Sequence, residues 1–112
     1  MKIKNLYING KEHGRIGLAD SFFLRLRGLL GRNFDELDAL LITPCGSIHT
    51  LFMAYPIDVL FIDRKGKTVK AVKHLKPWVP YISGRKACSV IELPSGKISE
   101  WNVDTGDHIA VR

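Results

Sequence analysis

The sequence predicts a single domain over residues 1–112 of the α+β class, mostly antiparallel β, with a small curled, barrel-like sheet and one amphipathic N-terminal helix. Three observations favour this fold. The 112 residues are 46% hydrophobic and 25% charged, which is the composition of an ordinary globular domain. Short β-rich runs alternate with turn signals about every eight to twelve residues, as in small sheets that close on themselves. A separate segment near the N-terminus carries apolar residues at helical spacing.

A hairpin and then the helix are predicted in the N-terminal part. Residues 2–8 form a strand candidate, and Asn9-Gly10 is the dipeptide most typical of a type I′ turn, so residues 11–17 are predicted to return as a second strand. Residues 20–31 follow, with an Asp or Ser cap at their start and a Gly stop at their end. The apolar residues at helical spacing in this segment are Phe22, Phe23, Leu26, Leu29 and Leu30. The stripe predicts a helix that covers one face or one open end of the sheet.

Residues 48–63 form the most apolar stretch of the chain, and we expect the rest of the fold to be arranged around them. Residues 39–42 precede this stretch as a short buried strand. Pro56 cannot donate a ladder hydrogen bond and therefore marks the start of a strand over residues 57–62, which is apolar on both faces except at Asp58. The pattern predicts a central strand that carries a carboxyl group into the interior.

The C-terminal half is predicted to consist of further strands. Asp63 and Gly66 are the first and last residues of a type I turn pattern that leads into residues 67–75. The lysines at every third position there would also suit a helix, but the turn and the β-branched residues favour a strand. Residues 88–93, 97–103 and 108–111 are predicted strands, joined by turns at 94–96 and 104–107, and residues 77–84 are predicted to be a loop.

Membrane and disulfide-scaffold classes are disfavoured by the composition. No apolar run approaches the roughly 18 residues of a membrane-spanning helix, and the N-terminus lacks the apolar core of a signal peptide. We therefore expect a cytoplasmic protein without a membrane partner, in which Cys45 and Cys88 stay reduced. Neither cysteine belongs to a Cys-x-x-Cys pair, and Cys45, His49 and His74 make an incomplete zinc set. We predict no metal and no cofactor.

The net charge of +6 is unevenly placed, because residues 64–86 contain eight lysines and arginines and no acidic residue. Such a block could bind nucleic acid or another polyanion. The lysines in this hypothesis are Lys67, Lys70, Lys73 and Lys76. The alternative, which we favour, is a solvated strand with its turn and loop, whose lysines discourage aggregation at a sheet edge.

Several ordered motifs resemble those of the prokaryotic family called domain of unknown function 192, over residues 18–112. They are the segments 47–53 and 56–63, Pro77-Trp78, the segment 91–96, and Gly106-Asp107. The chain departs from the resemblance at one place: many members carry Trp before the Met and Lys-Asn after it, whereas Phe52 precedes Met53 here and Ala54-Tyr55 follow. The resemblance implies a compact β-rich fold and no particular activity.

His49 and Asp58 are the first candidates for chemistry, because a carboxylate that orients an imidazole prepares a base near neutral pH. The alternative is that Asp58 accepts backbone N–H bonds and that His49 is a structural histidine. Cys45 lies four residues before His49, which would suit a thiol nucleophile beside a base, but a cysteine at that spacing in a loop is more often simply buried.

Two Pro-containing loops gather the aromatic residues, and loops above a rigid sheet are where binding pockets form. The candidate ligand-binding residues are Phe52, Met53, Tyr55, Trp78, Tyr81 and Glu92. Phe52 and Met53 could instead fill the core, and Glu92 could form a structural ion pair. We therefore expect a non-enzymatic module that binds a small molecule or a protein partner. A small hydrolase-like enzyme using His49 and Asp58, and a polyanion-binding protein, are the alternatives.

Overall fold

The computed structural model describes residues 2–19, 37–51 and 53–112, and their main element is one curled sheet. Seven strands form it in the order β6-β5-β8-β3-β2-β1-β9, and its neighbouring strands are antiparallel except for the β2–β3 pair. The elements are β1 Lys2–Ile8, β2 Lys11–Ala19, β3 Ala39–Ile42, β4 Ser47–Ile48, β5 Ile57–Ile62, β6 Thr68–Leu75, β7 Ile82–Ser83, β8 Ser89–Pro94, α1 Lys97–Glu100 and β9 Ile109–Val111. Strands β4 and β7 pair separately as a short ribbon.

The two edges of the sheet meet at one end and close it into a half-barrel. Lys67, which precedes β6, forms an isolated antiparallel bridge with His108, which precedes β9. The amide of Ile109 donates a 2.7 Å hydrogen bond to the carbonyl of Gly66 beside this bridge. The prediction of a mostly antiparallel, curled sheet is therefore confirmed. The predicted helix over residues 20–31 lies outside the described residues.

The two predicted hairpins have turns with the backbone angles and hydrogen bonds that their sequences favour. Asn9 and Gly10 have φ values of 51° and 83°, the left-handed pair that a type I′ turn requires, and β1 pairs with β2 on either side of them. At the β5–β6 turn, Oδ1 of Asp63 accepts the amides of Lys65 and Lys67, each at 2.9 Å. The Gly66 amide donates to the carbonyl of Asp63 at 3.1 Å. Both predicted turns are confirmed, and the lysine-rich segment is a strand.

Strand β5 is buried along its whole length, as predicted, and it separates two hydrophobic clusters. Leu60 and Ile62 belong to a cluster that joins side chains from β1, β2, β8, β9 and α1, so we call this side of the sheet the inner face. Val59 and Phe61 belong to a second cluster on the opposite side, which we call the outer face. Because β5 is buried on both faces, its sequence does not alternate between apolar and polar residues.

The strand predicted over residues 97–103 is wrong. The chain forms α1 instead, a single helical turn over Lys97–Glu100, and the preceding Gly96 has φ 99°. Ile98 is buried against the inner face. A residue far away in the sequence stabilises the helical turn, because the carboxylate of Asp58 accepts the amides of Gly96 and Ile98. In the described part of the chain, no helix is long and apolar enough to cross a membrane.

Candidate ligand-binding site

Two long connections cover the outer face of the sheet. One runs from β3 to β5 over residues 43–56, and the other runs from β6 to β8 over residues 76–88. They lie antiparallel to each other, because Ser47 pairs with Ser83 and Ile48 pairs with Ile82. The amide of Cys45 donates to the carbonyl of Cys88 at 2.9 Å. The two predicted ligand-binding loops are therefore parts of one layer.

Thr50 fastens the two connections together. Its hydroxyl donates to the carbonyl of Lys76 at 2.7 Å and accepts the amide of Val79 at 2.8 Å. Its own amide donates to the carbonyl of Val79, and its carbonyl accepts the amides of Trp78 and Met53. Thr50 is 1% exposed. Thr50 was not among the predicted site residues, and its one signal in the sequence is a hydroxyl inside an apolar stretch.

Trp78 and Tyr81 are presented to solvent by the connection that Thr50 holds. Their exposed fractions are 59% and 68%, which are large for aromatic side chains. Trp78 has φ 68°, a left-handed conformation that disfavours a bulky residue and is fixed by the hydrogen bond to Thr50. The structure places both rings at the surface, where a ligand or partner can reach them.

Glu92 lies near the middle of the sheet, on the outer face. The register sets it between Leu40 of β3 and Val59 of β5, which both belong to the outer cluster. It is 5% exposed, and no described residue forms a hydrogen bond or ion pair with its carboxyl group. Burial raises the pKa of Glu92 to about 8. The ion pair considered for Glu92 is not formed by the described part of the chain.

Met53 and Tyr55 lie against the same cluster. Met53 is buried in it, and Tyr55 packs on it half-buried. Phe52 lies outside the described residues. Met53, Tyr55 and Glu92 are thus all associated with the outer face. Met53 and Tyr55 also lie in the segment where the chain departs from the motif of its resemblance.

Among the described residues, the side chain of Asp58 is bonded only to backbone amides. Its Oδ1 accepts the amide of His74 at 2.9 Å, and its Oδ2 accepts the amides of Gly96 at 3.1 Å and Ile98 at 2.8 Å. Asp58 is fully buried, and His74 has φ 51° where β6 bulges opposite it. The carboxylate therefore joins the end of β6 to the start of α1.

The side chains of His49 and Cys45 each form a hydrogen bond with the backbone two positions further along the chain. His49 is exposed, and its Nδ1 accepts the amide of Leu51 at 3.1 Å. Cys45 is half-buried and its thiol donates to the carbonyl of Ser47 at 2.8 Å. His49 is not among the partners of Asp58. The described residues contain no group of three or more His, Cys, Asp and Glu that could hold a metal ion.

The four lysines of the polyanion hypothesis do not form one row. Lys70 donates from Nζ to the carbonyl of Ser83 at 2.9 Å and lies over the ring of Phe61, 5.6 Å from its centroid. Lys73 is exposed on β6, whereas the exposed Lys67 precedes the strand and the exposed Lys76 follows its end. Because side chains alternate along a strand, a spacing of three sends successive lysines to opposite faces.

Comparison with known proteins gives a family but no activity. The model of the family DUF192, described as "Uncharacterized ACR", matches residues 5–111. A UPF0127 protein of Thermococcus sibiricus is 37% identical over 101 residues, which are 86% of this chain and 65% of that protein. A UPF0127 protein of Pyrococcus abyssi is 36% identical over 104 residues, covering 88% of this chain and 87% of the relative. The chain therefore spans about two-thirds of the first relative's length.

Two solved structures share the fold. A crystal structure from Sinorhizobium meliloti 1021, described as a "putative transcription regulator", superposes with a TM-score of 0.85 and 21% identity, covering 98% of this chain and 94% of that one. A protein of unknown function from Novosphingobium aromaticivorans superposes with a TM-score of 0.78 and 18% identity, covering 96% of this chain and 82% of that one. At these identities the likeness concerns the fold.

Proposed function

Because this chain belongs to the uncharacterised family DUF192, which has no activity to carry over, we propose from its own geometry that it is a ligand-binding module. The proposed site lies on the outer face of the sheet around Glu92. The connections that carry Met53, Tyr55 and Trp78 form its cover. The observation that carries the proposal is that Glu92 is only 5% exposed as a residue, while no described residue donates a hydrogen bond to its carboxyl group.

A buried carboxyl group without a partner is costly and therefore uncommon. Buried polar groups are hydrogen-bonded in the great majority of cases, and burying a charged one unpaired costs several kcal/mol, roughly. Asp58 shows the ordinary arrangement in the same molecule, with three backbone amides on its oxygens. Glu92 sits one residue pair away on the neighbouring strand, opposite Val59, and lacks such donors. The missing partner is supplied, in this proposal, by a ligand.

The surroundings of Glu92 indicate the class of ligand. Its cross-strand neighbours Leu40 and Val59 are fully buried hydrophobic residues, so a ligand there needs an apolar or aromatic body. The carboxyl group needs a donor or a positive charge, which a primary amine supplies. We therefore propose a small apolar amine as the ligand class. The cytoplasm is the compartment we propose, consistent with Cys45 and Cys88 not forming a disulfide with each other.

The hydrolase-like alternative is not favoured by the hydrogen bonds. A general base must reach the proton that it removes, and an orienting carboxylate must reach the base. Asp58 instead directs its oxygens to three backbone amides, and the ring of His49 accepts a local amide.

Phenethylammonium is a suitable probe, with phenethyl alcohol as the uncharged control of nearly the same shape. Titration followed by ¹H–¹⁵N NMR is expected to shift the amides of Leu40, Val59 and Glu92 with the amine and much less with the alcohol. Affinity should rise about 50-fold from pH 6 to pH 8, because the amine binds the ionised form of a carboxyl group whose pKa is about 8.

The matched variants are Glu92→Gln and Glu100→Gln. The first removes the charge at the site, and the second removes an exposed carboxylate that pairs with Lys97 on α1. We expect Glu92→Gln to abolish the amine-specific shifts and Glu100→Gln to preserve them. Equal shifts with amine and alcohol, or amine binding that survives in Glu92→Gln, would rule out this site.

A further inference from the structure

The ring of His74 and the hydroxyl of Ser95 lie against each other at the end of the sheet where β5 begins. His74 is the next-to-last residue of β6, and Ser95 follows β8 directly, in the turn that leads into α1. A hydrogen bond joins Nδ1 of His74 to Oγ of Ser95. Both residues are exposed, and they are 21 positions apart in the sequence. The fold therefore brings a hydroxyl beside an imidazole at the surface.

One buried carboxylate holds the backbone on both sides of this pair. Oδ1 of Asp58 accepts the amide of His74 at 2.9 Å, and its Oδ2 accepts the amide of Gly96, the neighbour of Ser95, at 3.1 Å. His74 has φ 51°, a left-handed conformation that is uncommon outside glycine and is held here by the first of these bonds. The imidazole and the hydroxyl are thus tied to the same fully buried side chain, so little orientational freedom is left to lose when they react.

A serine hydroxyl bonded to an imidazole is the arrangement that makes serine a nucleophile. When the ring is neutral and carries its proton on Nε2, the hydroxyl of Ser95 donates to Nδ1 of His74. Nδ1 can then take the hydroxyl proton while Oγ forms a bond to an electrophilic carbon. Because both residues are exposed, a reactant in solution can reach Oγ.

We propose that Ser95 accepts acyl groups with His74 as its general base, and that its substrates are activated acyl donors, namely thioesters or aryl esters. Oγ attacks the carbonyl carbon and gives its proton to Nδ1. The carbon–sulfur or carbon–oxygen bond breaks, and the leaving thiolate or phenolate keeps the electron pair and receives the proton from Nδ1. Water then adds to the acyl carbon, its proton passes through Nδ1 to Oγ, and the carbon–Oγ bond breaks to release a carboxylic acid and restore the hydroxyl.

The exposure of the pair restricts the substrate class. Water reaches both residues, so the charge that develops on the carbonyl oxygen lies in a medium of high dielectric constant, where electrostatic stabilisation is weak. General-base catalysis by itself supplies an acceleration of about 10²–10⁴-fold. That is enough for an acyl donor with a weakly basic leaving group and far too little for an amide. Peptides are therefore excluded as substrates in this proposal.

This site is separate from the site proposed at Glu92. Glu92 pairs with Val59 in the middle of the β5–β8 ladder, whereas Ser95 lies beyond Pro94, which pairs with Ile57 at the end of that ladder. The amine proposed for Glu92 carries no acyl group, and an acyl donor at Ser95 needs no amine. Failure of one proposal leaves the other in place.

An aryl ester tests the proposal directly, and Ser99 provides an internal control. Ser99 is exposed on α1, and no described residue forms a hydrogen bond with its hydroxyl. The protein is mixed with p-nitrophenyl acetate, quenched at short times and digested with trypsin, which cleaves after Lys97 and so separates the two serines. Tandem mass spectrometry is expected to show acetylation of Ser95 about 100-fold faster than that of Ser99. Equal rates at the two serines would overturn the proposal.

A matched pair of histidine variants tests the base. His74→Asn removes the imidazole, and asparagine tolerates the left-handed backbone at this position. His49→Asn removes another exposed imidazole, whose Nδ1 accepts a local amide. Acetylation of Ser95 should slow about 100-fold in His74→Asn and stay within about twofold in His49→Asn. An unchanged rate in His74→Asn, or the same loss in both variants, would contradict a base at His74.

Substitutions of the serine separate an acylated hydroxyl from an imidazole that reacts alone. Release of p-nitrophenolate should lose its rapid phase in Ser95→Ala. It should be at least as fast as in the unmodified protein in Ser95→Cys, because a thiol is the better nucleophile, with the acetyl group found on the sulfur. A rapid phase that survives in Ser95→Ala, with the acetyl group on His74, would show that the imidazole is itself the nucleophile and would overturn the proposal.

Discussion

Replacing Glu92 with glutamine should stabilise the protein, in a way that depends on pH. The folded state holds the carboxyl group with a pKa of about 8, whereas the ordinary value is 4.5. Between these two values the unfolded chain releases a proton that the folded chain keeps. The free energy of unfolding therefore falls as pH rises through this window and is unaffected by Glu92 below it.

The size of this change in the free energy of unfolding follows from the difference between the two pKa values of Glu92. Each pH unit between 4.5 and 8 contributes at most about 1.4 kcal/mol, so at pH 7 the penalty has an upper bound of about 3.4 kcal/mol. Relaxation around a buried group reduces such penalties, and we expect a gain of about 1–3 kcal/mol for Glu92→Gln at pH 7. Near pH 4.5 the gain should be close to zero, because the folded protein then carries an uncharged side chain at position 92 whether it is glutamate or glutamine.

Urea denaturation at pH 4.5, 6, 7 and 8.5 measures this difference for the unmodified protein, Glu92→Gln and the exposed control Glu100→Gln. The difference between the first two should grow with pH and level off above pH 8, whereas that of Glu100→Gln should stay flat. A variant that is destabilised at every pH, or a difference that does not change with pH, would show that Glu92 is an ionised group with a partner in the fold.

Three further changes test the hydrogen bonds and the turn. Asp58→Asn should cost about 3 kcal/mol or more by urea denaturation, since an amide nitrogen would face backbone N–H groups; a loss under 1 kcal/mol would contradict the capping role. Thr50→Val should cost about 2 kcal/mol and broaden the Trp78 amide resonance, while Thr50→Ser should keep most of the stability. Gly10→Ala should cost about 1 kcal/mol in melting experiments, through its φ of 83° alone, because nothing lies within 4 Å of the added Cβ.

Local chemistry was sufficient to predict much of the sheet. The Asn9-Gly10 turn, the turn that begins at Asp63 and the buried strand β5 all depend on residues within a few positions of one another. The family resemblance drawn from the ordered motifs is likewise confirmed by the family match over residues 5–111. These features are readable because their causes lie next to each other in the sequence.

The features that the sequence did not reveal depend on distant partners. Residues 97–103 resembled a strand, but the amide of Ile98 is bonded to Asp58, 40 positions earlier. Thr50 bonds to Lys76 and Val79, 26 and 29 positions away. Glu92 was recognised as a candidate, but its lack of a bonded partner among the described residues became visible only in the folded arrangement.

The titration of Glu92 itself tests the proposed site most directly. The ¹³C resonance of its carboxyl carbon, followed by NMR from pH 4 to pH 10, should titrate near pH 8 in the free protein. Saturation with phenethylammonium should lower that midpoint, because the bound cation favours the ionised form. A midpoint near 4.5 in the free protein, or a midpoint near 8 that the amine leaves unchanged, would contradict the account.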